Sequence, residues 1–208
     1  MKQKSWKETT RSEFYKLKFF CSTNSGGDNM EFKQVLENRR SIRKYTKQAV
    51  EKEKVDAIIE AGLLAPSAHN TQPWQFIIVR DSIPEIVKLL KEEGEKHPED
   101  ESISKTADTI SRGNTLILVY SDRLENPDFT LLSMGAMIEN MLLKATDLGL
   151  GSLWIGNILK ISSQVARYFE LDDTKLHLVS AVLLGYKEKD PKPLERKTLA
   201  NAIIKEEK

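Results

Sequence analysis

Apolar residues recur at helical spacing in several segments of the chain, and these segments alternate with short apolar runs. From residue 131 to 148, apolar side chains return every three or four positions, which predicts an amphipathic helix with a wide apolar face. Gly149 follows it, and glycine tolerates the left-handed conformation of a helix cap. The same spacing predicts helices at 51–64, 84–93 and 162–169, and a shorter helix that starts near Phe32.

The short apolar runs are rich in β-branched residues and predict buried strands at 74–79, 115–120, 153–155 and 178–184. Pro66 should end the helix before it, because the residue preceding a proline is pushed out of the α region. Residues 94–105 are charged and contain a proline, so we expect them to be exposed, and we expect a helix in 195–206. The order of helices and strands indicates an α+β or α/β sandwich.

Composition describes an ordinary globular protein, with 39% hydrophobic and 30% charged residues in 208 positions. The net charge of +1 gives no reason to expect nucleic acid or an anionic membrane as a partner. No apolar run approaches the roughly 20 residues that span a bilayer. The single cysteine, Cys21, excludes an internal disulfide and fits a reducing compartment. We therefore expect a cytoplasmic protein without a nucleic-acid or membrane partner.

Residues 1–29 differ from the rest of the chain because they are basic and end in a polar stretch. The apolar patch Phe19–Cys21 is too short for a secretory signal. Residues 22–29 are rich in Ser, Asn and Gly, which is typical of a flexible linker. We expect a flexible N-terminal extension over 1–29 and one domain over 30–208.

Three segments offer what a planar ligand with a phosphate needs, and the first is the basic stretch 39–43. Alternate side chains of an extended stretch point the same way, so Arg39, Ser41 and Arg43 would converge on one anion. Guanidinium groups bind phosphate bidentately, and a serine hydroxyl adds a donor. Taken alone, the stretch is more typical of a solvated basic turn after a helix.

The second segment is the polar loop 66–73, which separates an apolar helix from an apolar strand. Its prolines restrict the backbone, and Ser67, Asn70 and Gln72 supply donors and acceptors at a fixed place. The alternative is a capped turn whose polar groups satisfy their own backbone. His69 is more typical of a loop histidine than of a catalyst.

The third segment, residues 149–157, contains three glycines that let the backbone approach a ligand closely. A helix cap followed by a tight turn would explain the same glycines. No G-x-G-x-x-G follows a strand, so a nicotinamide donor would bind without a Rossmann site. The three histidines are scattered and there is no second cysteine, so we expect no metal site. Glu139 is either a buried acid or, more in keeping with its type, a solvated or capping carboxylate.

Taken in order, these motifs resemble the nitroreductase family. The stretch Arg-Arg-Ser-Ile-Arg resembles its phosphate-binding segment, and Pro-Ser-Ala-His-Asn-Thr-Gln-Pro-Trp resembles its signature loop. Gly-Ala-Met-Ile-Glu-Asn-Met-Leu-Leu and Gly-Leu-Gly-Ser-Leu-Trp-Ile-Gly resemble its central helix and the turn beyond. The likeness spans Met30 to Arg196. It implies an α+β, three-layer α/β/α sandwich with a mostly antiparallel central sheet, in an intertwined homodimer with FMN at the interface.

The resemblance also implies roles for individual residues. The FMN phosphate and ribityl groups would be held by Arg39, Arg40, Ser41, Arg43 and Arg196. Loop residues Pro66, Ser67, Ala68, Asn70 and Gln72 would reach the flavin of the partner subunit, and the backbone of Trp154, Ile155 and Gly156 would lie near its reactive side. No catalytic side chain is implied, because the flavin carries the redox chemistry.

The function implied is ping-pong reduction of nitroaromatic, quinone or similar small-molecule acceptors with NAD(P)H as reductant. Dehalogenation or dehydrogenation on the same cofactor, a flavin-binding module without turnover, and a domain without cofactor remain as alternatives. Two departures from the family pattern matter. Glu139 stands where the family often has Gln, and the short, charged segment 79–115 leaves little material for a substrate lid.

Overall fold

Helices and strands alternate along most of the protein, whose computed structural model describes residues 30–123 and 127–207. The predicted extension, residues 1–29, lies outside the described residues. Two 3₁₀ turns, Ala68–Asn70 and Asn157–Ile161, lie in the connections. The helices are α1 (Phe32–Asn38), α2 (Lys52–Leu63), α3 (Ile83–Lys96), α4 (Glu101–Ile110), α5 (Pro127–Asp147), α6 (Ser162–Tyr168) and α7 (Leu199–Ala202), and the strands are β1 (Trp74–Val79), β2 (Thr115–Ser121), β3 (Gly151–Ile155) and β4 (His177–Gly185).

The four strands form one antiparallel sheet in the order β1-β2-β4-β3. Every residue of β2 is buried, which explains why its sequence is a continuous apolar run rather than an alternating one. β3 lies at the edge of the sheet, and the chain after α1 extends that edge. There Ser41 forms a parallel bridge with Ser152, and the Ile42 N–H donates to the Ser152 carbonyl at 2.9 Å.

Helices cover both faces of the sheet and give the molecule three layers. On one face, α2 and α5 pack with buried Met134, Met137 and Met141, so the methionine stripe is core. On the other face, α3, α4 and α6 enclose a second apolar core. The predicted α/β/α sandwich with a mostly antiparallel sheet is therefore confirmed. In the described part of the chain, no helix combines the length and apolarity needed to cross a membrane.

Two expectations about local structure need correction in part. Residues 94–105 are mostly exposed, as expected, but most of them are helical: α3 continues to Lys96 and α4 begins at Glu101, with Ile103 buried. The Asp100 carboxylate accepts from the Ser102 N–H at 3.1 Å and caps α4, so the polar residues there start a helix. The helix expected over 195–206 shrinks to α7, whose four residues are exposed.

Candidate functional site

A cleft of about 670 Å³ opens between α4 and the end of β3. This volume lies within the range of small-molecule binding sites. Residues 153–157 form its floor, and the two walls come from α4 and from the stretch after α1. The lining residues are Arg43, Lys44, Ser102, Lys105, Thr106, Asp108, Thr109, Arg112, Leu153, Trp154, Ile155, Gly156 and Asn157.

The stretch after α1 is held against β3 by its buried positions. Ile42 is 6% exposed and packs where a side chain on Gly151 would stand, since an added Cβ would lie 2.9 Å from Ile42 Cγ2. Ser41 and Arg43, on either side of it, are exposed. Alternate residues of an extended chain face the same way, so Ser41 and Arg43 share the outward side. Of these two, Arg43 lines the cleft.

Arg39 and Arg40 make other contacts. The Arg39 Nε lies 3.3 Å from Glu139 Oε1 on α5, which joins the end of α1 to the central helix. The Arg40 guanidinium donates to the carbonyls of Glu37 and Arg39, the latter at 2.8 Å. It thereby satisfies carbonyls that the end of a helix leaves without partners. Glu139 is thus a half-exposed carboxylate in an ion pair rather than a buried acid.

The floor of the cleft is fixed by hydrogen bonds around Trp154. The Trp154 Nε1–H donates to Ser180 Oγ at 2.6 Å, and that buried hydroxyl donates to the Ile155 carbonyl at 3.0 Å. Gly156 follows, and no atom of the described residues lies within 4 Å of the Cβ that a larger residue would carry there. The backbone at Gly156 is therefore open to the cleft.

Asn157 ties the floor to the α4 wall. Its Nδ2 donates to the Ser102 carbonyl at 3.1 Å, to Ser102 Oγ at 3.0 Å and to Thr106 Oγ1 at 3.0 Å. The α4 residues were missed at the level of sequence, although a signal was present. Polar residues recur at helical spacing opposite the buried positions 103, 107 and 110, and they form the wall: Ser102, Lys105, Thr106, Thr109 and Arg112.

The electrostatics of the cleft are cationic. Four basic residues line it (Arg43, Lys44, Lys105 and Arg112), against the single acidic Asp108 among the described lining residues. Lys105 Nζ lies 2.6 Å from Glu101 Oε2, and this hydrogen bond raises the pKa of the lysine. Arg196 lies in an exposed, extended part of the tail and is not among the described residues that line the cleft.

The loop 66–73 lies elsewhere, against the first turns of α5. The Ala68 N–H donates to Ser133 Oγ at 3.2 Å, and this hydroxyl donates to the Phe129 carbonyl at 2.8 Å. Within the loop, the Gln72 N–H donates to Ser67 Oγ at 3.0 Å. Pro66, Asn70 and Gln72 are exposed. The loop therefore presents its polar groups outward from α5 and not into the cleft of its own chain.

The backbone of this loop is strained. His69, Asn70 and Gln72 have φ angles of 53°, 54° and 47°, in the left-handed region that few residues other than glycine adopt. Such conformations persist only where surrounding contacts enforce them, and they concentrate at functional sites. The hydrogen bonds through Ser67 and Ser133 supply that enforcement here.

Comparison with known proteins agrees with the fold and with the family resemblance of the sequence motifs. The family model described as "Nitroreductase family" matches residues 36–186. A protein of Methanothermobacter thermautotrophicus assigned as an NADH dehydrogenase/NAD(P)H nitroreductase is 30% identical over 165 residues, covering 78% of this chain and 80% of its own length. A nitroreductase structure from Desulfovibrio desulfuricans, in complex with FMN, superposes with a TM-score of 0.73 at 30% identity, covering 86% of this chain and 98% of that chain. Iodotyrosine deiodinase 1 of Sus scrofa is 36% identical over 69 residues, covering 33% of this chain and 24% of its own length.

Proposed function

Since the chain belongs to the nitroreductase family, we propose that it is an FMN-dependent NAD(P)H oxidoreductase that reduces nitroaromatic, quinone or similar acceptors. One observation carries the proposal. The fold brings Arg43 and the backbone at Trp154–Gly156, which are far apart in sequence, to one cleft. A cation beside an open stretch of main chain is the pair of features that a phosphate-bearing planar cofactor requires.

The residues present fit FMN. The cleft has the volume of a cofactor site, its walls are cationic, and Gly156 leaves main-chain groups uncovered. Arg43, which lines the cleft, would hold the phosphate and ribityl groups together with Ser41 and the Arg39 Nη groups, which the Glu139 contact at Nε leaves available. Arg196 would join them from the tail. Arg40, already bonded to main-chain carbonyls, holds the end of α1 instead.

FMN held there would supply the redox chemistry that couples NAD(P)H to the acceptor in a ping-pong cycle. The role of the protein is to bind the cofactor and to orient it. The backbone of Trp154, Ile155 and Gly156 would orient the redox-active ring, and the Ser180 contacts keep that backbone in place. Among residues 30–123 and 127–207, no segment encloses the cleft as a lid, which favours a broad range of small acceptors.

The functional unit is a homodimer. Large apolar side chains at the start of α5, directly after α2 and at the start of α1 are exposed: Phe129 by 59%, Leu132 by 73%, Leu64 by 70% and Phe32 by 68%. We propose that a second copy of the chain covers them, since extended apolar surface marks protein interfaces. The strained loop lies on α5 beside Phe129, so a second copy covering this surface brings Pro66, Ser67, Ala68, Asn70 and Gln72 to the partner's cofactor. Light scattering should give the mass of a dimer, and a monomer that retains FMN would refute the shared site.

The absorption spectrum of the purified protein tests the proposal. We expect flavin bands that bleach when NADH or NADPH is added without oxygen and return with an acceptor. Bound FMN that never bleaches would refute the oxidoreductase and favour a flavin-binding module. A colourless protein that also refuses added FMN would refute the cofactor.

Replacement of Arg43 by alanine tests the phosphate contact. Arg43→Ala should weaken FMN binding by about 1.5–3 kcal/mol, the range for hydrogen bonds to charged groups. Lys47→Ala is the matched control, because Lys47 is exposed on the same stretch but is not among the described lining residues. Equal FMN affinities of the two variants in a fluorescence titration would remove Arg43 from the site.

Reductive dehalogenation is a second candidate, favoured by the partial match to iodotyrosine deiodinase 1. Release of halide from a halogenated phenol, measured beside reduction of a nitroaromatic compound, separates the two activities. Halide release at the faster rate would assign the chain to dehalogenation.

A further inference from the structure

The charges in the cleft are distributed unevenly between its two ends. At the end near Asn157, Lys105 pairs with Glu101 at 2.6 Å and Lys160 lies 3.7 Å from Asp100. At the other end, the turn after α4 meets the stretch after α1, because the Asn114 side chain donates to the carbonyls of Thr46 and Gln48. This contact places the α4 terminus beside the segment that carries Lys44.

Three of the cations that line the cleft belong to these two joined segments: Arg43 and Lys44 to the stretch after α1, and Arg112 to the turn after α4. None of them takes part in a salt bridge with the described residues, and Arg43 donates only a long, 3.4 Å hydrogen bond to the Ser41 carbonyl. Asp108 lines the same cleft one turn before Arg112, yet it too forms no ion pair there. Uncompensated cations on facing walls of a cleft concentrate a positive potential that attracts an anion.

We propose that Lys44 and Arg112, together with Arg43, form a subsite for a phosphate monoester. The inference rests on the proposed function and adds two residues to it that no sequence motif marks. A guanidinium binds two phosphate oxygens at once, and an ammonium adds a point charge from the opposite wall. A phosphate monoester carries close to two negative charges at neutral pH, which suits three cations better than a carboxylate does.

Two ligands of the proposed enzyme carry such a group. One is FMN, which differs from riboflavin by its phosphate monoester alone. The other is NADPH, which differs from NADH in the same way. These matched pairs identify the source of the phosphate, because each ratio of affinities isolates the contribution of that one group.

The experiment compares Lys44→Ala and Arg112→Ala with the wild type and with the control Lys47→Ala. Dissociation constants for FMN and riboflavin come from fluorescence titration of the apoprotein, and those for NADPH and NADH from anaerobic bleaching of the bound flavin. If the subsite holds the cofactor phosphate, both variants lose about tenfold or more of the preference for FMN over riboflavin. If it holds the reductant phosphate, that preference is unchanged and the preference for NADPH over NADH falls by a similar factor.

Arg112→Lys should retain part of the lost preference, since the charge remains while the bidentate geometry is lost. The subsite would be overturned if the FMN-to-riboflavin and NADPH-to-NADH affinity ratios of Lys44→Ala and Arg112→Ala both stayed within about twofold of the wild-type ratios. Failure of the proposed function gives a different result. If the protein binds no flavin, the subsite is tested instead by NMR titration with AMP and with adenosine. Equal affinities for AMP and adenosine would overturn the subsite.

Discussion

Replacement of Gly151 by alanine should displace the stretch that we propose binds phosphate, residues 39–43, without altering any polar group. An added Cβ would lie 2.9 Å from Ile42 Cγ2 and 3.0 Å from Ile42 Cβ and Cγ1. Favourable contacts between carbon atoms are about 3.5–4.0 Å, so the two chains must separate by about half an ångström or more. The atoms involved belong to the stiff, branched part of the isoleucine, and no rotation removes them.

The cost of this overpacking can be bounded. Crowding a well-packed site by one methyl group costs about 1–3 kcal/mol. Ile42 cannot yield freely, because it is buried and its N–H is bonded to the Ser152 carbonyl at 2.9 Å. We expect Gly151→Ala to lose about 1–3 kcal/mol of unfolding free energy. FMN affinity should fall as well, since Ser41 and Arg43 move with Ile42.

Urea denaturation followed by tryptophan fluorescence measures the loss, and a double-mutant cycle assigns it. Ile42→Ala alone should cost about 2–5 kcal/mol, but it removes two of the three crowded atoms. The double variant should therefore lose less than the sum of the single variants. Gly156→Ala is the control for stability only, because its added Cβ meets no described atom within 4 Å while Gly156 itself lines the cleft. The reasoning would be refuted if Gly151→Ala kept wild-type stability and FMN affinity. It would also be refuted if the stability losses of Gly151→Ala and Ile42→Ala were strictly additive in the double variant.

Two further predictions concern buried hydroxyl groups. Ser133→Ala leaves the Ala68 N–H without its acceptor and should cost about 1–2 kcal/mol in urea denaturation, and an unchanged midpoint would show that the loop does not need this anchor. Tyr120 has a buried hydroxyl with no hydrogen-bond partner among the described residues, so Tyr120→Phe should be at least as stable as the wild type. Burial raises the pKa of Tyr120 from 10.0 to about 12, so the folded state binds more protons than the unfolded state over that range. Wild-type stability should therefore hold below about pH 10 and fall as pH rises towards 12, and Tyr120→Phe should lose less; an equal alkaline loss in both would contradict this assignment.

The regular elements could be predicted from sequence wherever apolar spacing was uninterrupted. The central helix was expected at 131–148 and occupies Pro127–Asp147, and Gly149 has the left-handed φ of 73° expected of its cap. Pattern alone missed α4, because Ile103, Ala107 and Ile110 are separated by charged and polar residues after a proline. Their burial depends on the second core beneath the sheet, which is a property of the whole fold.

The sequence by itself determined the chemistry of the site: a basic stretch, a polar loop and a glycine-rich turn, each with its residue types in a recognisable order. The tertiary structure alone decided which of these groups meet. Arg39 pairs with Glu139, the loop packs on Ser133, and Arg112 lines the same cleft as Arg43. Such pairings join positions distant along the chain, and local propensity carries no information about them. They follow from the packing of helices on the two faces of the sheet.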